Sequence, residues 1–367
     1  MTFKRILFLA AAVFGAAVSS FAKDANYRVT SPDGHISATV TVGEDIRYSV
    51  SRDEQTLIAP SAISMSLSDG IVFGQNNKVR KAVKSSFDET FPTVAYKKAE
   101  VRDNYNQISL NFKEFSLVFR AYDDGVAYRF VSRLDKKKEY EVISEQSEFN
   151  FGVDRQAFIP YVNSGAKTVE GQFFNSFENT YTVQNLSQWR KDRLAFLPLA
   201  VTADNGVKVV ITDADVTNYP GMQIIGAEGS ASLRGMFAPY PKVIEQGGHN
   251  MLQGMIRERE NFIAKVAGGE TFPWRVIMVS TSDAQLAVND MVWKLSPAQD
   301  AGADYSWVKP GKVAWDWWND WNLYDVDFKA GINNDTYKYY IDFAADHGIE
   351  YVILDEGWAV NLQADLF

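Results

Sequence analysis

The sequence contains no cysteine among its 367 residues. This absence excludes disulfide bonds, zinc–thiolate sites, thiol nucleophiles and CxxC redox chemistry. Histidine is scarce, and His35, His249 and His347 have no spacing typical of metal ligands. Any catalysis by this protein therefore has to use carboxylates, His, Ser, Lys or Tyr.

Positive charge is in the minority, because 37 Lys and Arg residues face 46 Asp and Glu residues and give a formal net charge of −9. Such a balance argues against binding to the phosphate backbone of nucleic acids or to anionic lipid. The sequence also lacks a Gly-rich phosphate loop and a GxSxG nucleophile motif. Apolar residues make up 46% of the chain, which excludes disorder as its main state.

Long apolar runs are rare, and the one that stands out is at the N-terminus. Lys4 and Arg5 precede an apolar stretch at 6–18, and residues 20–22 form a small-x-small cleavage site. The stretch is shorter than the ~20 residues that span a bilayer, which favours a secretory signal peptide over a transmembrane anchor. We expect cleavage after Ala22 and export to the periplasm without a membrane anchor.

The next part of the chain shows the two-residue alternation of apolar and polar side chains that is typical of β-strands. Clear examples lie at 36–42, 108–112, 115–119 and 126–130. Such segments at short intervals predict antiparallel sheets, and two packed sheets bury the many apolar faces. We therefore predict a large N-terminal β-sandwich over residues 23–295, with a possible helix at 285–295.

The pattern changes after this domain. Pro and Gly residues predict a linker over 296–311. It is followed by a short apolar strand at 312–317, by a helix that Asn334 or Asp335 caps and Gly348 ends, and by an apolar strand that starts at Tyr351. This order is typical of a βαβ unit in a parallel sheet that is covered on both faces.

In parallel α/β folds the functional side chains lie at the C-terminal ends of the strands. Two segments fall there: residues 315–321, which read WDWWNDW, and residues 355–358, which read DEGW. Indole rings stack on the C–H faces of sugars, and carboxylates accept hydrogen bonds from sugar hydroxyls. These segments favour sugar binding, although buried tryptophans with helix-capping acids would give the same composition.

Five segments form a specific combination of motifs: KPGKVAWDWWNDWN at 309–322, YKYYIDFA at 337–344, GIEYVILDEGW at 348–358, RAYDDGVAYRF at 120–130 and SFENTY at 176–181. Together they resemble glycoside hydrolase family 97. That family comprises exported bacterial α-glucosidases and α-galactosidases with an N-terminal β-sandwich, a (β/α)8 barrel and a C-terminal β domain. The resemblance implies a multidomain β plus α/β chain in which residues 312–367 are the start of a truncated (β/α)8 barrel.

The resemblance also implies roles for individual residues. Glu178 matches a sandwich glutamate that helps to bind Ca²⁺ in the catalytic pocket, although the sequence by itself indicates a surface or turn position. The segment that contains Trp315, Asp316 and Trp317 matches residues near the sugar pocket. Asp355 and Glu356 match a strand end that binds sugar hydroxyls, and for Asp355 we favour hydroxyl binding over proton transfer.

The barrel portion is short, because 56 residues follow Gly311 whereas a (β/α)8 barrel takes ~250. We expect the catalytic acid and its base or nucleophile beyond Phe367, and no activity from this chain alone. The sequence thus predicts the N-terminal part of a calcium-dependent α-glycosidase acting on oligosaccharides, with glucoside or galactoside specificity and stereochemistry open. The alternative is a non-catalytic, exported carbohydrate-binding sandwich with a barrel remnant.

Overall fold

The computed structural model of the protein describes residues 24–76, 78–248, 253–297, 302–355 and 357–358. The predicted signal peptide, residues 1–22, lies outside the described residues, as does Glu356. Within the described ranges the chain up to residue 280 folds mainly into β-strands, and the remainder contains three α-helices, one short 3₁₀ helix and two short strands.

The strands of the first part are numbered in chain order. They are β1 (Ala25–Thr30), β2 (Ile36–Val42), β3 (Ile46–Arg52), β4 (Gln55–Leu67), β5 (Val72–Phe73), β6 (Lys81–Pro92), β7 (Glu100–Asn111), β8 (Phe115–Tyr122), β9 (Gly125–Ser132), β10 (Glu139–Asn150), β11 (Gln156–Ile159), β12 (Thr182–Asn185), β13 (Leu199–Thr202), β14 (Lys208–Ala214), β15 (Gln223–Gly226), β16 (Ser232–Met236), β17 (Pro241–Gly247), β18 (Gln253–Arg259), β19 (Ala264–Ala267) and β20 (Trp274–Ser280).

These strands form two sheets that pack face to face. The first sheet has the order β1-β2-β3-β4-β10-β16-β15, with β19 beside β10 and β5 beside β4. The second sheet has the order β12-β11-β13-β14-β20-β9-β8-β7-β6, and β17 and β18 form a separate hairpin. Strands β1 and β2 lie against β7, β8 and β9 of the opposite sheet. The predicted β-sandwich is therefore confirmed.

The sandwich core follows from the alternation in the sequence. Ala38 and Val40 of β2 are completely buried, because every second side chain of a strand points to the same face. Aromatic rings then join the two sheets: the Tyr48 ring of β3 lies 5.9 Å from the Phe119 ring of β8 and 5.1 Å from the Tyr128 ring of β9. Ring contacts at these distances stabilise a core beyond the burial of their area.

A buried ion pair also connects the sheets. The Arg275 guanidinium of β20 donates two hydrogen bonds of 2.7 Å to the Glu145 carboxylate of β10, and the two side chains are 1% and 3% exposed. Tyr219 and Ser147 donate further hydrogen bonds of 2.8 Å and 2.7 Å to the same carboxylate. Burial alone would raise the pKa of Glu145, but the Arg275 charge and the hydrogen bonds outweigh it and hold this pKa below its ordinary value.

The helical segment after β20 is divided into two short helices. Instead of one helix over 285–295, the structure has α1 (Asp283–Ala287) and α2 (Met291–Leu295). The chain between them is held by side chains of the β6–β7 loop, because Lys97 Nζ donates to the carbonyl oxygens of Ala287 and Asn289. Helix α2 packs on the outer face of the second sheet through Met291 and Leu295.

The last part of the chain is a βαβ unit made of β21 (Val313–Trp315), α3 (Asn334–Asp346) and β22 (Tyr351–Ile353). The two strands pair in parallel, which agrees with the predicted start of a barrel. The predicted cap of the helix was wrong by one residue, since Asn333 Oδ1 accepts the Thr336 N–H at 2.9 Å. Among the described helices, none has the length and apolar character needed to cross a bilayer.

We predict that Glu145→Gln lowers the free energy of unfolding by about 3 kcal/mol, because the buried Arg275 charge then keeps only the more distant Asp213 carboxylate, at 3.6 Å, as an anionic partner. Urea denaturation of the chain from Lys23 onward measures this change. The control is Asp88→Asn, which removes a similarly short pair with Arg102 on the exposed surface and should leave the stability unchanged.

The pH dependence provides a second reading of the same pair. Because the folded-state pKa of Glu145 is below the ordinary 4.5, the pair stabilises the fold above pH 4.5 and ceases to do so as the pH falls through that folded-state pKa. In Glu145→Gln, the free energy of unfolding should therefore fall less steeply with decreasing pH in this range than in the unmodified chain. If Glu145→Gln and Asp88→Asn changed the free energy of unfolding equally, the buried pair would have no special role.

Candidate functional site

The candidate site lies where β21 and β22 end side by side. The parallel register stops at the pair Trp315 and Ile353, and Asp355 follows two residues later. The Trp315 indole Nε1–H donates a hydrogen bond of 2.9 Å to Asp355 Oδ2. The structure thus brings together the two segments that the sequence analysis singled out, because parallel strands end at the same edge of their sheet.

Asp316 occupies the interior of this strand-end cluster and is completely buried. Its Oδ1 accepts the backbone N–H groups of Trp317 at 2.7 Å and of Asp355 at 3.1 Å. Its Oδ2 accepts the Trp321 indole N–H at 3.2 Å. Of the three first-strand residues predicted to contact the sugar, Asp316 is therefore the one that the structure places away from solvent.

The tryptophans of the loop after β21 differ in their environments. Trp317 is 47% exposed, and its ring lies 4.6 Å from that of Trp321. Trp318 is 83% exposed. The backbone can return Trp321 to the Asp316 carboxylate because Asp320 and Trp321 have φ values of 59° and 52°, in the left-handed region. The loop therefore presents the Trp317 indole to solvent next to the strand ends.

Helix α3 packs against the strand-end cluster. The sequence analysis did not assign two of its residues, Tyr337 and Tyr340, to the site. Tyr340, Ala344 and Ala314 pack into one apolar cluster, and the Tyr340 hydroxyl donates to Asn319 Oδ1 at 2.6 Å. Tyr337, in the first turn, is 9% exposed, and its hydroxyl has no hydrogen-bond partner among the described residues. Burial raises the pKa of Tyr337, and the nearby Asp316 carboxylate raises it further.

Glu178 lies in the long loop between β11 and β12, and its side chain is exposed. The loop is anchored by Gln172, which is 1% exposed, donates to the Asp192 carbonyl at 2.8 Å and accepts the Leu194 N–H at 2.9 Å. The Phe177 ring, next to Glu178, lies 5.7 Å from the Phe196 ring. The residue preceding Glu178 is thus packed against the sandwich while Glu178 itself faces solvent.

The described residues do not form a complete calcium site. Ca²⁺ takes six to eight oxygen ligands, usually from several carboxylates. Within the ranges that the structure describes, no group of three or more His, Cys, Asp or Glu residues is placed to hold a metal ion. Glu178 therefore offers one carboxylate, and the remaining ligands of any calcium ion have to come from elsewhere.

Comparisons with known proteins identify the family of the chain. The family profile described as Glycosyl-hydrolase 97 N-terminal matches residues 29–297, and the profile described as Glycoside hydrolase 97 matches residues 317–367. The chain is 50% identical over 342 residues to a retaining alpha-galactosidase from Bacteroides thetaiotaomicron, with 93% of this chain and 51% of that protein covered. It is 24% identical to a probable retaining alpha-galactosidase from Streptomyces bingchenggensis, with 89% of this chain and 45% of that protein covered.

A solved structure shows the same fold. It is a glycoside hydrolase family 97 enzyme from a Pseudoalteromonas species in complex with acarbose. The two chains superpose with a TM-score of 0.72 at 24% identity, and the match covers 92% of this chain and 48% of that enzyme. The chain thus spans about half the length of the relatives that it matches. With the two profiles together spanning nearly the whole described chain, the protein belongs to glycoside hydrolase family 97.

Proposed function

We propose that this chain is part of a retaining α-galactosidase that acts on oligosaccharides, in which it supplies the β-sandwich and the first strands of the catalytic barrel. The observation that carries the proposal is the 50% identity to a retaining alpha-galactosidase over 93% of the chain. The strand-end cluster supports it, because an exposed indole beside a carboxylate suits a sugar. This choice narrows the sequence prediction, which left glucosides and galactosides open.

In this proposal Trp317 and Asp355 hold the sugar. The exposed Trp317 ring stacks on a C–H face of the pyranose, and the Asp355 carboxylate accepts a sugar hydroxyl. The indole N–H of Trp315 donates a hydrogen bond to Asp355 Oδ2 and so orients the carboxylate. Trp315 then acts through Asp355, and Glu356 remains a predicted hydroxyl ligand outside the described residues.

The reaction requires two further carboxyl groups. Retaining glycosidases use two carboxyl groups about 5–5.5 Å apart, one as nucleophile and one as general acid and then base. Asp316 is buried and cannot reach a substrate, and Asp355 Oδ2 already accepts the Trp315 indole N–H, so neither side chain is suited to these two roles. We therefore assign both catalytic carboxylates to strands of the barrel that follow β22.

We further propose that Glu178 supplies one ligand to a calcium ion in the catalytic pocket. Its exposed carboxylate on an anchored loop supports this role, and the other ligands would come from barrel loops that follow the described residues. Bound there, calcium would contribute positive charge to the pocket. We also propose that residues 1–22 direct export to the periplasm and are removed after Ala22.

The full-length protein, meaning this chain together with the rest of its barrel, should hydrolyse p-nitrophenyl α-galactoside at least tenfold better in kcat/KM than the α-glucoside. NMR of the first product should show the α anomer of galactose, as retention requires. The chain 23–367 alone should show no turnover. A preference for the glucoside or initial release of the β anomer would contradict the proposal.

Trp317→Ala in the full-length protein should raise KM about tenfold with a smaller effect on kcat, because one stacking contact is lost. The matched control is Trp307→Ala, which removes the 76% exposed indole of the linker and should leave both constants unchanged. Steady-state kinetics with p-nitrophenyl α-galactoside measures both variants. Equal effects of the two substitutions would exclude Trp317 as a sugar contact.

Glu178→Gln should weaken calcium binding by tenfold or more in calorimetry of the full-length protein, and activity should fall in parallel when calcium is limiting. Glu170→Gln is the matched control, since Glu170 is an exposed glutamate of the same loop. A calcium affinity that is unchanged in Glu178→Gln would remove Glu178 from the proposed site.

A further inference from the structure

We infer that Asp316 is a positioning residue that fixes Asp355 and the tryptophan loop, and that it does not itself bind sugar. The inference rests on the proposed function only where it calls Asp355 and Trp317 sugar contacts. It reassigns one of the residues that the family resemblance placed at the pocket, and the evidence for it is the set of contacts at the ends of β21 and β22.

The first step of the argument is access. Asp316 is 0% exposed, whereas Trp317 is 47% exposed. A sugar hydroxyl could reach the Asp316 carboxylate only after displacement of its present donors, which are the Trp317 and Asp355 backbone N–H groups and the Trp321 indole. Displacement would leave those N–H groups buried without partners, which costs about 1–3 kcal/mol for each of them. Direct binding to Asp316 is therefore disfavoured.

The second step concerns the backbone where the strands separate. The pairing of the two strands ends at Trp315 and Ile353, two residues before Asp355. Beyond that point the Asp316 carboxylate binds the second strand, with Asp355 N at 3.1 Å from Oδ1 and 3.4 Å from Oδ2. The two strands can therefore diverge and open a pocket while their ends remain joined.

The third step is the coupling between main chain and side chain. Asp316 holds the backbone of Asp355, and the Trp315 indole holds the side chain of Asp355 at Oδ2. Two points of attachment define the direction of the Asp355 carboxylate. The Asp316 oxygen that accepts the Asp355 N–H also accepts the Trp317 N–H at 2.7 Å. One buried carboxylate thus sets the positions of the proposed hydroxyl acceptor and of the proposed stacking ring together.

The charge of Asp316 is balanced by these donors. Its carboxylate forms no ion pair with Lys, Arg or His within the residues that the structure describes, and several N–H groups surround it instead. Hydrogen bonds from N–H groups to a carboxylate are stronger than hydrogen bonds from the same groups to a neutral acceptor. Asparagine in its place would keep acceptors for the backbone N–H groups but would turn an amide N–H₂ toward the Trp321 indole N–H.

The test uses the indole N–H signals of the chain from Lys23 onward, labelled with ¹⁵N-tryptophan and assigned through single Trp→Phe variants. In Asp316→Asn, the Trp321 signal should move because its acceptor changes. The Trp315 signal should move as well, although its indole contacts Asp355 and not Asp316. In Asp355→Asn, the Trp315 signal should move and the Trp321 signal should stay. Asp342→Asn, an exposed aspartate of α3, should move neither signal.

A Trp315 signal that stays in place in Asp316→Asn would overturn the inference. If that variant does not fold around β21, hydrogen exchange in the unmodified chain tests the inference instead. The indole N–H groups of Trp315 and Trp321 should exchange at least tenfold more slowly than that of the 83% exposed Trp318, and equal rates would overturn the inference.

Titration with galactose separates the two proposals. If the Trp315 signal moves in Asp316→Asn but galactose leaves the Trp317 signal unchanged, Asp316 is still a positioning residue. The proposed contact between Trp317 and the sugar then fails.

Discussion

The ion pair between Arg275 and Glu145 joins the two sheets of the β-sandwich through their interior. It joins one strand from each sheet, and both side chains are almost completely buried. Charges in such a place are tolerated only when each is paired and hydrogen-bonded, and here Tyr219 and Ser147 complete the coordination of the carboxylate. The apolar rings around the pair pack in the same interior. The pair can form only when β10 and β20 face each other, and it therefore fixes how these two strands meet across the interior.

The architecture was predictable from the sequence because it depends on periodicity. Two-residue alternation identified the sandwich, and the order of strand, helix and apolar strand identified the βαβ unit. The predicted bounds of the helices were wrong where they depend on individual side-chain contacts. The predicted helix over 285–295 is divided, and Lys97 donates to carbonyl oxygens at the break. Helix α3 begins after Asn333 rather than after Asn334 or Asp335.

The candidate site was predictable only in part. Strand ends and residue types selected Trp315, Trp317 and Asp355, which the structure brings to one edge. The burial of Asp316 carries no sequence signal, because its neighbours on both sides are tryptophans and the exposure of each depends on how the loop turns back. Glu178 came from the family resemblance, since an isolated glutamate in a loop has no periodic or spacing pattern. Pairing of Glu145 with Arg275 likewise has no local sequence signature.

The separation of the paired residues along the chain bears on the order in which the molecule folds. Arg275 and Glu145 are 130 residues apart, whereas Asp316 and Asp355 are 39 apart. Closing the longer loop costs about 1 kcal/mol more in chain entropy, because this cost grows with the logarithm of loop length. The strand-end contact can therefore form from a more local search than the ion pair between the sheets. Because contacts of high sequence separation slow folding, we expect the sandwich rather than the first unit of the barrel to set the rate of refolding.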